Sequence, residues 1–114
     1  ILETNKEIII SSQYTLENSK FYKHPKIKWL YCVPKYPCSL EDIDFSELDK
    51  FDGFSNHCPQ LIAPLSASIL GAKIIEIHIT SSKTKNFVDN NVSFDYNELT
   101  DTVKAIRLSE KIKR

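Results

Sequence analysis

Two histidines, His57 and His78, are the residues of this chain whose type and position best fit a chemical role. Each lies at or near the end of a short strand-like run, at residues 54–59 and 74–80. In an α/β protein the carboxyl ends of the strands are where side chains converge on a ligand. Because neutral imidazole is a preferred ligand of divalent first-row metals, the pair predicts two ligands of one metal site. The other ligands and most of a substrate site are expected outside this polypeptide.

The three cysteines offer a different metal site. Two histidines alone are a weak motif, and a zinc-binding module built from Cys32, Cys38, Cys58 and His57 is an alternative. The gap between Cys32 and Cys38 is wider than the roughly two to four intervening residues usual for structural zinc. An odd number of cysteines without a recognisable secretion signal favours free thiols in a reducing compartment, so we expect a cytoplasmic protein.

Composition excludes several classes of partner. The chain has 114 residues, with 15 basic and 15 acidic side chains. This length predicts one domain, and the balanced charge creates no field that would favour nucleic acid or an anionic membrane. No apolar run approaches the roughly 18 residues that span a bilayer. We therefore expect neither a nucleic-acid partner nor a membrane.

Four apolar segments predict strands, at residues 7–11, 27–33, 52–55 and 73–79. The first is a continuous apolar run, which is typical of a strand buried on both faces. Helical turns or helices are predicted between and after the strands, at residues 15–18, 39–42, 46–49, 59–70 and 95–111. Alternation at this spacing indicates an α/β fold of four βα units with a parallel sheet. Such units form either a small open sheet or half of an eight-unit barrel, and the pattern does not choose between them.

The last two predicted helices carry recognisable boundaries. Pro64 is tolerated only in a first turn, and Gly71 is a natural stop after the helix at residues 59–70. Asp95 and Glu98 form a capping box for the final helix, whose apolar face comprises Leu99, Val103, Ile106 and Ile112. The polar loop at residues 81–92 is longer than a connector needs and is a candidate functional loop.

Residues 55–80 resemble the sialic acid synthase family, whose members make N-acetylneuraminate, legionaminate and pseudaminate. Ser55-Asn56-His57 is similar to the family's Ser-Asp-His-Thr segment. Residues 70–80 closely match its Leu-Gly-Ala-Lys-Val-Ile-Glu-Lys-His-Phe-Thr segment. Weaker similarity extends to Ile9-Ile10-Ser11-Ser12, to Tyr31-Cys32 with Tyr36-Pro37, to Asp89, which falls on the aspartate of the family's Gly-Pro-Asp segment, and to the last helix.

The resemblance implies a (βα)₈ TIM barrel in which residues 1–114 supply units five to eight. It also implies condensation of phosphoenolpyruvate with an N-acylated hexosamine, such as N-acetylmannosamine, to a nonulosonic acid and phosphate. The implied cofactor is a divalent metal, manganese first, with magnesium or cobalt as alternatives, acting as a Lewis acid on the sugar aldehyde. The missing amino-terminal half barrel and a carboxyl-terminal antifreeze-like domain would complete a homodimeric enzyme.

The same resemblance assigns roles to individual residues. Glu76 lies two positions before His78, so both side chains point to one side of the strand, and a buried Glu76 carboxylate would need a partner. The predicted site comprises Glu76 and Asp89 as catalytic residues, Ser11, Tyr36 and Ser55 as substrate contacts, and His57 and His78 as metal ligands.

Some positions depart from the family pattern. Asn56 replaces an aspartate beside the metal ligand, and Val33-Pro34 replaces two polar residues that normally face substrate. Gln13-Tyr14 makes the loop after the first strand bulkier than the family's Gly-Met. These departures keep a non-catalytic (βα)₄ binding domain open as an alternative function. We also expect the chain to be inactive without the first half barrel.

Overall fold

Four parallel strands form one sheet in the order in which they occur along the chain. The computed structural model describes residues 1–113, so Arg114, the last residue of the predicted domain, lies outside the described part. The strands are β1 (Ile8–Ser12), β2 (Ile27–Cys32), β3 (Gly53–Asn56) and β4 (Ile74–Ile77), and each pairs in parallel with the next. The helices are α1 (Ile62–Ile69) and α2 (Tyr96–Ser109). The predicted α/β fold with a parallel sheet is confirmed.

The connections between strands contain less helix in the first half of the chain than in the second half. Between β2 and β3 lie two 3₁₀ turns, Leu40–Asp42 and Leu48–Lys50. Between β1 and β2 the chain makes only turns, so the helical turn predicted at residues 15–18 does not form. Lys23 there has a φ of 62°, in the left-handed region that interrupts a right-handed helix.

The prediction that the first strand is buried on both faces is wrong. Ile9 is 55% exposed, and no residue of β1 is fully buried. The reason is topological, because β1 pairs only with β2 and forms an edge of the sheet. An apolar run indicates that a strand needs cover on both faces, but it does not say which part of the chain supplies that cover.

The predicted boundaries of the two helices are largely confirmed. Pro64 lies in the first turn of α1, and Gly71 follows this helix with a φ of 108°. Asp95 accepts a hydrogen bond from the Glu98 amide at 2.8 Å and donates its own amide to Glu98 at 3.2 Å, which completes the predicted capping box. The predicted apolar face of α2 is only partly buried, however: Leu99 and Ile106 are half-buried, and Val103 is 46% exposed.

The main hydrophobic cluster lies against one face of the sheet. Tyr31 of β2 stacks on Phe54 of β3 with ring centroids 5.9 Å apart, and Phe45 meets Phe54 edge to face at 5.0 Å. Ala63 and Ala67 of α1 complete this cluster. Because side chains alternate along a strand, the residues between these aromatics point to the opposite face. That second face, here called the inner face, carries Cys32, Ser55 and Glu76.

Within residues 1–113, neither helix combines the length and apolar character needed to cross a bilayer.

Candidate functional site

The structure brings the two predicted metal ligands together at the carboxyl end of the sheet. His57 directly follows β3 and His78 directly follows β4. Their ring centroids lie 5.6 Å apart with an interplanar angle of 60°. Because an imidazole nitrogen lies about 2 Å from a metal that it binds, rings at this separation can reach one ion placed between them. The geometry therefore fits the predicted pair of ligands.

His57 is held so that one ring nitrogen is free. The residue is 5% exposed, and its Nδ1 atom forms a hydrogen bond with the backbone carbonyl of Val33. A carbonyl oxygen can only accept, so Nδ1 carries a proton and Nε2 is the ring nitrogen left to bind a metal. Metal-binding histidines usually donate their second nitrogen in this way. The Cys38 amide also donates to the His57 carbonyl at 3.0 Å, which fixes the backbone.

The Nδ1 atom of His78 lies near the carboxylate of Asp89. Its Nδ1 lies 3.8 Å from Asp89 Oδ2, too long for a direct hydrogen bond but within reach of electrostatic attraction. The Phe94 amide donates to the His78 carbonyl at 2.8 Å, and the Asp89 carbonyl accepts from Ser93 Oγ at 2.7 Å. The loop at residues 81–92 is thus tied back to the end of β4, and Asp89 meets the predicted metal ligand.

Tyr36 contacts both imidazole rings. Its ring centroid lies 4.1 Å from that of His57 at an angle of 30°, and 5.9 Å from that of His78, edge to face. Burial raises the pKa of the Tyr36 hydroxyl above its ordinary value, and the nearby Asp89 carboxylate raises it further. The residue predicted as a substrate contact is therefore part of the histidine cluster.

A polar row crosses the inner face below the histidines. Cys32, Ser55 and Glu76 occupy matching positions on β2, β3 and β4, and partners in a parallel sheet share a face. Ser55 Oγ donates to Glu76 Oε1 at 2.8 Å. Ser11 of β1 is the neighbour of Cys32 at the other end of the row, and burial raises the pKa of the Cys32 thiol.

The Glu76 carboxylate, which would need a partner if it were buried, is not buried within the described residues. Glu76 is exposed because no segment of residues 1–113 covers the inner face at this position. Its carboxylate accepts a hydrogen bond from the buried Ser55 hydroxyl, rather than pairing with a lysine. One oxygen of Glu76 is therefore positioned by the sheet while the group still faces open space, as a group that meets a substrate must.

The alternative zinc arrangement does not form. Cys32, Cys38 and Cys58 are free and buried, and across residues 1–113 no three His, Cys, Asp or Glu side chains are grouped to hold a metal. Burial raises the pKa of Cys38 to about 11, which disfavours the thiolate that binds zinc. The histidine pair likewise has no third protein ligand grouped with it within the described residues.

Sequence reasoning missed the backbone groups of the site. The Val33 carbonyl and the Cys38 amide both act on His57, yet backbone atoms leave no signature in residue types. The pair Val33-Pro34 was interpreted only as a loss of polar side chains. A cavity of about 440 Å³ also lies between Tyr36 and residues 83–92, which agrees with the predicted functional loop. Sequence indicated this loop through its length and polarity.

The two imidazoles and the Asp89 carboxylate lie at the carboxyl end of a parallel sheet, which is where α/β enzymes place their active sites. The model of the NeuB family matches residues 2–114, and the chain belongs to this family. It is 30% identical to a pseudaminic acid synthase of Campylobacter jejuni, with 96% of this chain and 36% of that protein covered. It is also 30% identical to the N-acetylneuraminate-9-phosphate synthase of Homo sapiens, with 77% and 27% covered.

Solved structures share the same fold. An N-acetylneuraminic acid synthetase from Leptospira borgpetersenii superposes with a TM-score of 0.71 at 30% identity, over 75% of this chain and 33% of that one. The spore coat polysaccharide biosynthesis protein SpsE of Bacillus subtilis gives a TM-score of 0.65 at 33% identity, over 75% and 26%. The chain thus spans about a third of the length of the relatives that it matches.

Proposed function

We propose that this chain supplies the metal-binding end of the active site of a nonulosonic acid synthase. The reaction condenses phosphoenolpyruvate with an N-acylated hexosamine of the N-acetylmannosamine type, giving a nonulosonic acid and phosphate. The observation that carries the proposal is the histidine pair, with centroids 5.6 Å apart and each Nδ1 facing an oxygen acceptor. It occurs in a member of the NeuB family, whose relatives include named synthases of such acids.

The residues present fit a divalent metal. His57 and His78 would hold it through Nε2, because their Nδ1 atoms face the Val33 carbonyl and the Asp89 carboxylate. Manganese is the first candidate, with magnesium or cobalt as alternatives, and two imidazoles suit a first-row metal best. When bound, the metal supplies Lewis-acid polarisation of the sugar aldehyde. Its other ligands would be water, substrate or groups from the rest of the enzyme.

The inner-face row would orient the substrates. Glu76, held by Ser55 at 2.8 Å, presents a carboxylate that accepts hydrogen bonds from sugar hydroxyls or takes up a proton. Asp89 and Tyr36 border the cavity formed with residues 83–92, where the far end of the sugar would lie. Ser11, on the edge strand, would contact phosphoenolpyruvate. The new bond joins the enolpyruvate carbon to the aldehyde carbon, and water then replaces phosphate.

The rest of the active site would come from a first half barrel. The chain corresponds to units five to eight of a (βα)₈ barrel in this proposal, within a cytoplasmic enzyme that dimerises in its full-length form. β1 and β4 are the two edge strands of the sheet, and Ser11 and Glu76 on the inner face are exposed within residues 1–113. Because uncovered edges and an exposed face favour association, we expect the chain alone to associate and to be inactive.

A split-barrel assay tests the proposal. The chain is mixed with the separately expressed amino-terminal half barrel of the Campylobacter jejuni relative, and phosphate release from phosphoenolpyruvate is measured with manganese and an N-acylated hexosamine. We expect release only from the mixture, loss of release in His78→Ala, and no change in His24→Ala. Undiminished turnover in His78→Ala would remove the metal assignment.

The same assay decides between catalysis and binding. The alternative is a non-catalytic (βα)₄ domain, favoured by the replacement of polar side chains at Val33-Pro34. If the two halves co-elute in size-exclusion chromatography but release no phosphate with any N-acylated hexosamine, the chain is a binding domain. Turnover by a monodisperse monomer of the chain alone would contradict the half-barrel assignment.

A further inference from the structure

We propose that the loop after β2, residues 33–36, is a positioning element for the metal ligand His57, with Tyr36 as the positioning residue that holds both imidazole rings. This inference rests on the proposed function, because it assigns the loop a task within the proposed metal site. It gives the Val33-Pro34 replacement a role in orienting a ligand through the backbone rather than in contacting substrate through side chains.

The first contact comes from the Val33 carbonyl. This oxygen accepts from the Lys35 amide at 2.8 Å and also meets His57 Nδ1. A bond from residue i+2 to residue i closes a three-residue γ-turn with Pro34 at its centre. Proline restricts φ to about −65°, close to the value of about −75° at the centre of an inverse γ-turn. Pro34 therefore favours the turn that aims this carbonyl at the ring.

The second contact comes from the Tyr36 ring. It stacks on the face of His57 at 4.1 Å and 30°, while the Val33 carbonyl holds the ring edge. The loop at residues 33–36 thus restrains the His57 imidazole both within the plane of the ring and perpendicular to that plane. Tyr36 also meets His78 edge to face at 5.9 Å, so the same ring restrains the second ligand. Both ligands are oriented before any ion arrives.

The positioning contacts use the aromatic ring and not the hydroxyl group. Both contacts of Tyr36 with the histidines are ring contacts, and the residue is 55% exposed. A residue that acts only as a substrate contact would depend on its hydroxyl. Phenylalanine preserves the stacking surface and removes the hydroxyl, whereas leucine removes the ring. These two substitutions therefore separate positioning from substrate contact.

Manganese titration of the full chain is the first test, read by calorimetry with Mn²⁺ alone. We expect Tyr36→Leu to weaken binding by about 10- to 100-fold, the usual cost of losing an outer-shell partner. Tyr36→Phe should stay within about twofold of the wild type, as should Tyr14→Leu, which removes an exposed tyrosine ring that lines a different cavity. Far-UV circular dichroism checks that each variant is folded. Tyr36→Leu binding as tightly as wild type, or Tyr36→Phe binding as weakly as Tyr36→Leu, would overturn the inference.

Metal-free nitrogen NMR separates this inference from the proposed function. In the wild type, His57 should appear as the Nδ1–H tautomer with a ring-current shift from Tyr36, and Tyr36→Leu should lose that shift. Pro34→Gly should lower the Nδ1–H population by loosening the turn. If the wild type and His78→Ala bind Mn²⁺ equally weakly, the metal proposal fails, while these NMR signatures still support the positioning role. A His57 spectrum unchanged by both substitutions would overturn it.

Discussion

The two ends of the sheet are built in different ways. At the carboxyl end, backbone groups hold His57 and His78, and side chains that stay partly accessible, such as His78, Asp89 and Tyr36, contact one another. At the amino end, the contacts are made mainly by backbone groups. The Asp52 amide donates to Trp29 at 2.8 Å, the Asp52 carboxylate accepts from the Trp29 amide at 2.8 Å, and the Lys73 amide donates to Asp52 at 3.0 Å.

Contacts at the amino end of the sheet serve stability, whereas the carboxyl end carries the side chains of the proposed site. Asp52 links the starts of β2, β3 and β4, so the amino end sets the register of three strands. The carboxyl end then receives side chains whose positions follow from that register. In barrel enzymes the same division is general, since the amino-terminal face serves stability and the carboxyl-terminal face carries the active site. Substitutions at the amino end should therefore lower the free energy of unfolding and leave Mn²⁺ affinity unchanged. Substitutions at the carboxyl end should lower Mn²⁺ affinity and have little effect on stability.

Gly53→Ala should produce the largest loss of stability. A Cβ at this position would overlap the backbone carbonyl of Ile74, which cannot move without disturbing the pairing of β3 with β4. We expect a loss of about 3 kcal/mol or more in the free energy of unfolding, measured by urea denaturation. Gly71→Ala is the matched control, because that position has open space around it and only an unfavourable φ of 108°. It should cost about 1 kcal/mol. Equal losses in the two variants would contradict the steric argument.

His78→Ala should have the opposite signature. We expect Mn²⁺ affinity to fall about 100-fold, equivalent to about 2.7 kcal/mol, because one of two protein ligands is removed. The free energy of unfolding of the metal-free chain should change by less than about 1 kcal/mol, since His78 is partly exposed. His24→Ala, in a loop at the other end of the sheet, should change neither quantity. Unchanged Mn²⁺ affinity in His78→Ala would show that the imidazole pair is structural.

Asp52→Ala tests the backbone link at the amino end. The substitution leaves the buried Trp29 amide without its acceptor, and an unsatisfied buried donor costs about 1–3 kcal/mol. Urea denaturation should report that loss, while Mn²⁺ affinity measured on the folded protein stays at the wild-type value. Asp49→Ala, an exposed neighbour three residues earlier, serves as the control for loss of charge. A drop in Mn²⁺ affinity without loss of stability would contradict the division between the two ends.

Asp89→Asn should have the smallest effect. It keeps the shape of the side chain but removes the negative charge that faces His78 Nδ1 at 3.8 Å. Mn²⁺ affinity should fall about tenfold, the lower end of the range for outer-shell partners. Isothermal titration calorimetry at two ionic strengths would check the mechanism, because a partly exposed charge is screened by salt. An effect as large as that of His78→Ala would instead make Asp89 a direct ligand.

Hydrophobic periodicity and the residues that mark helix ends predicted the helices in the second half of the chain well. Pro64, Gly71 and the Asp95–Glu98 capping box mark helix ends through local backbone chemistry, and the structure has them in those roles. The first half was harder, because the segment between β1 and β2 satisfies its amides with successive turns instead of a helix. Local signals at Thr15 and Leu16 do not reveal that alternative.

The sequence predicted those parts of the candidate site that are formed by side chains, and it missed the parts formed by the backbone. His57, His78 and Asp89 were found through residue type and resemblance, and the fold places them together. The exposure of Glu76 was not predictable, because burial depends on which segments cover the inner face. The Val33 carbonyl was missed for a different reason: every residue has a carbonyl, so only the fold shows which one meets the imidazole.

The sequence by itself determined the alternation of strands and helices, the helix caps and the identity of the histidine pair, because these depend on local propensity, periodicity and side-chain chemistry. Only the tertiary structure decided that Tyr36 stacks on His57 and meets His78 edge to face, that Ser55 holds Glu76, and that β1 lies at an edge. Those features join residues from different strands, and their geometry follows from register and packing across the sheet.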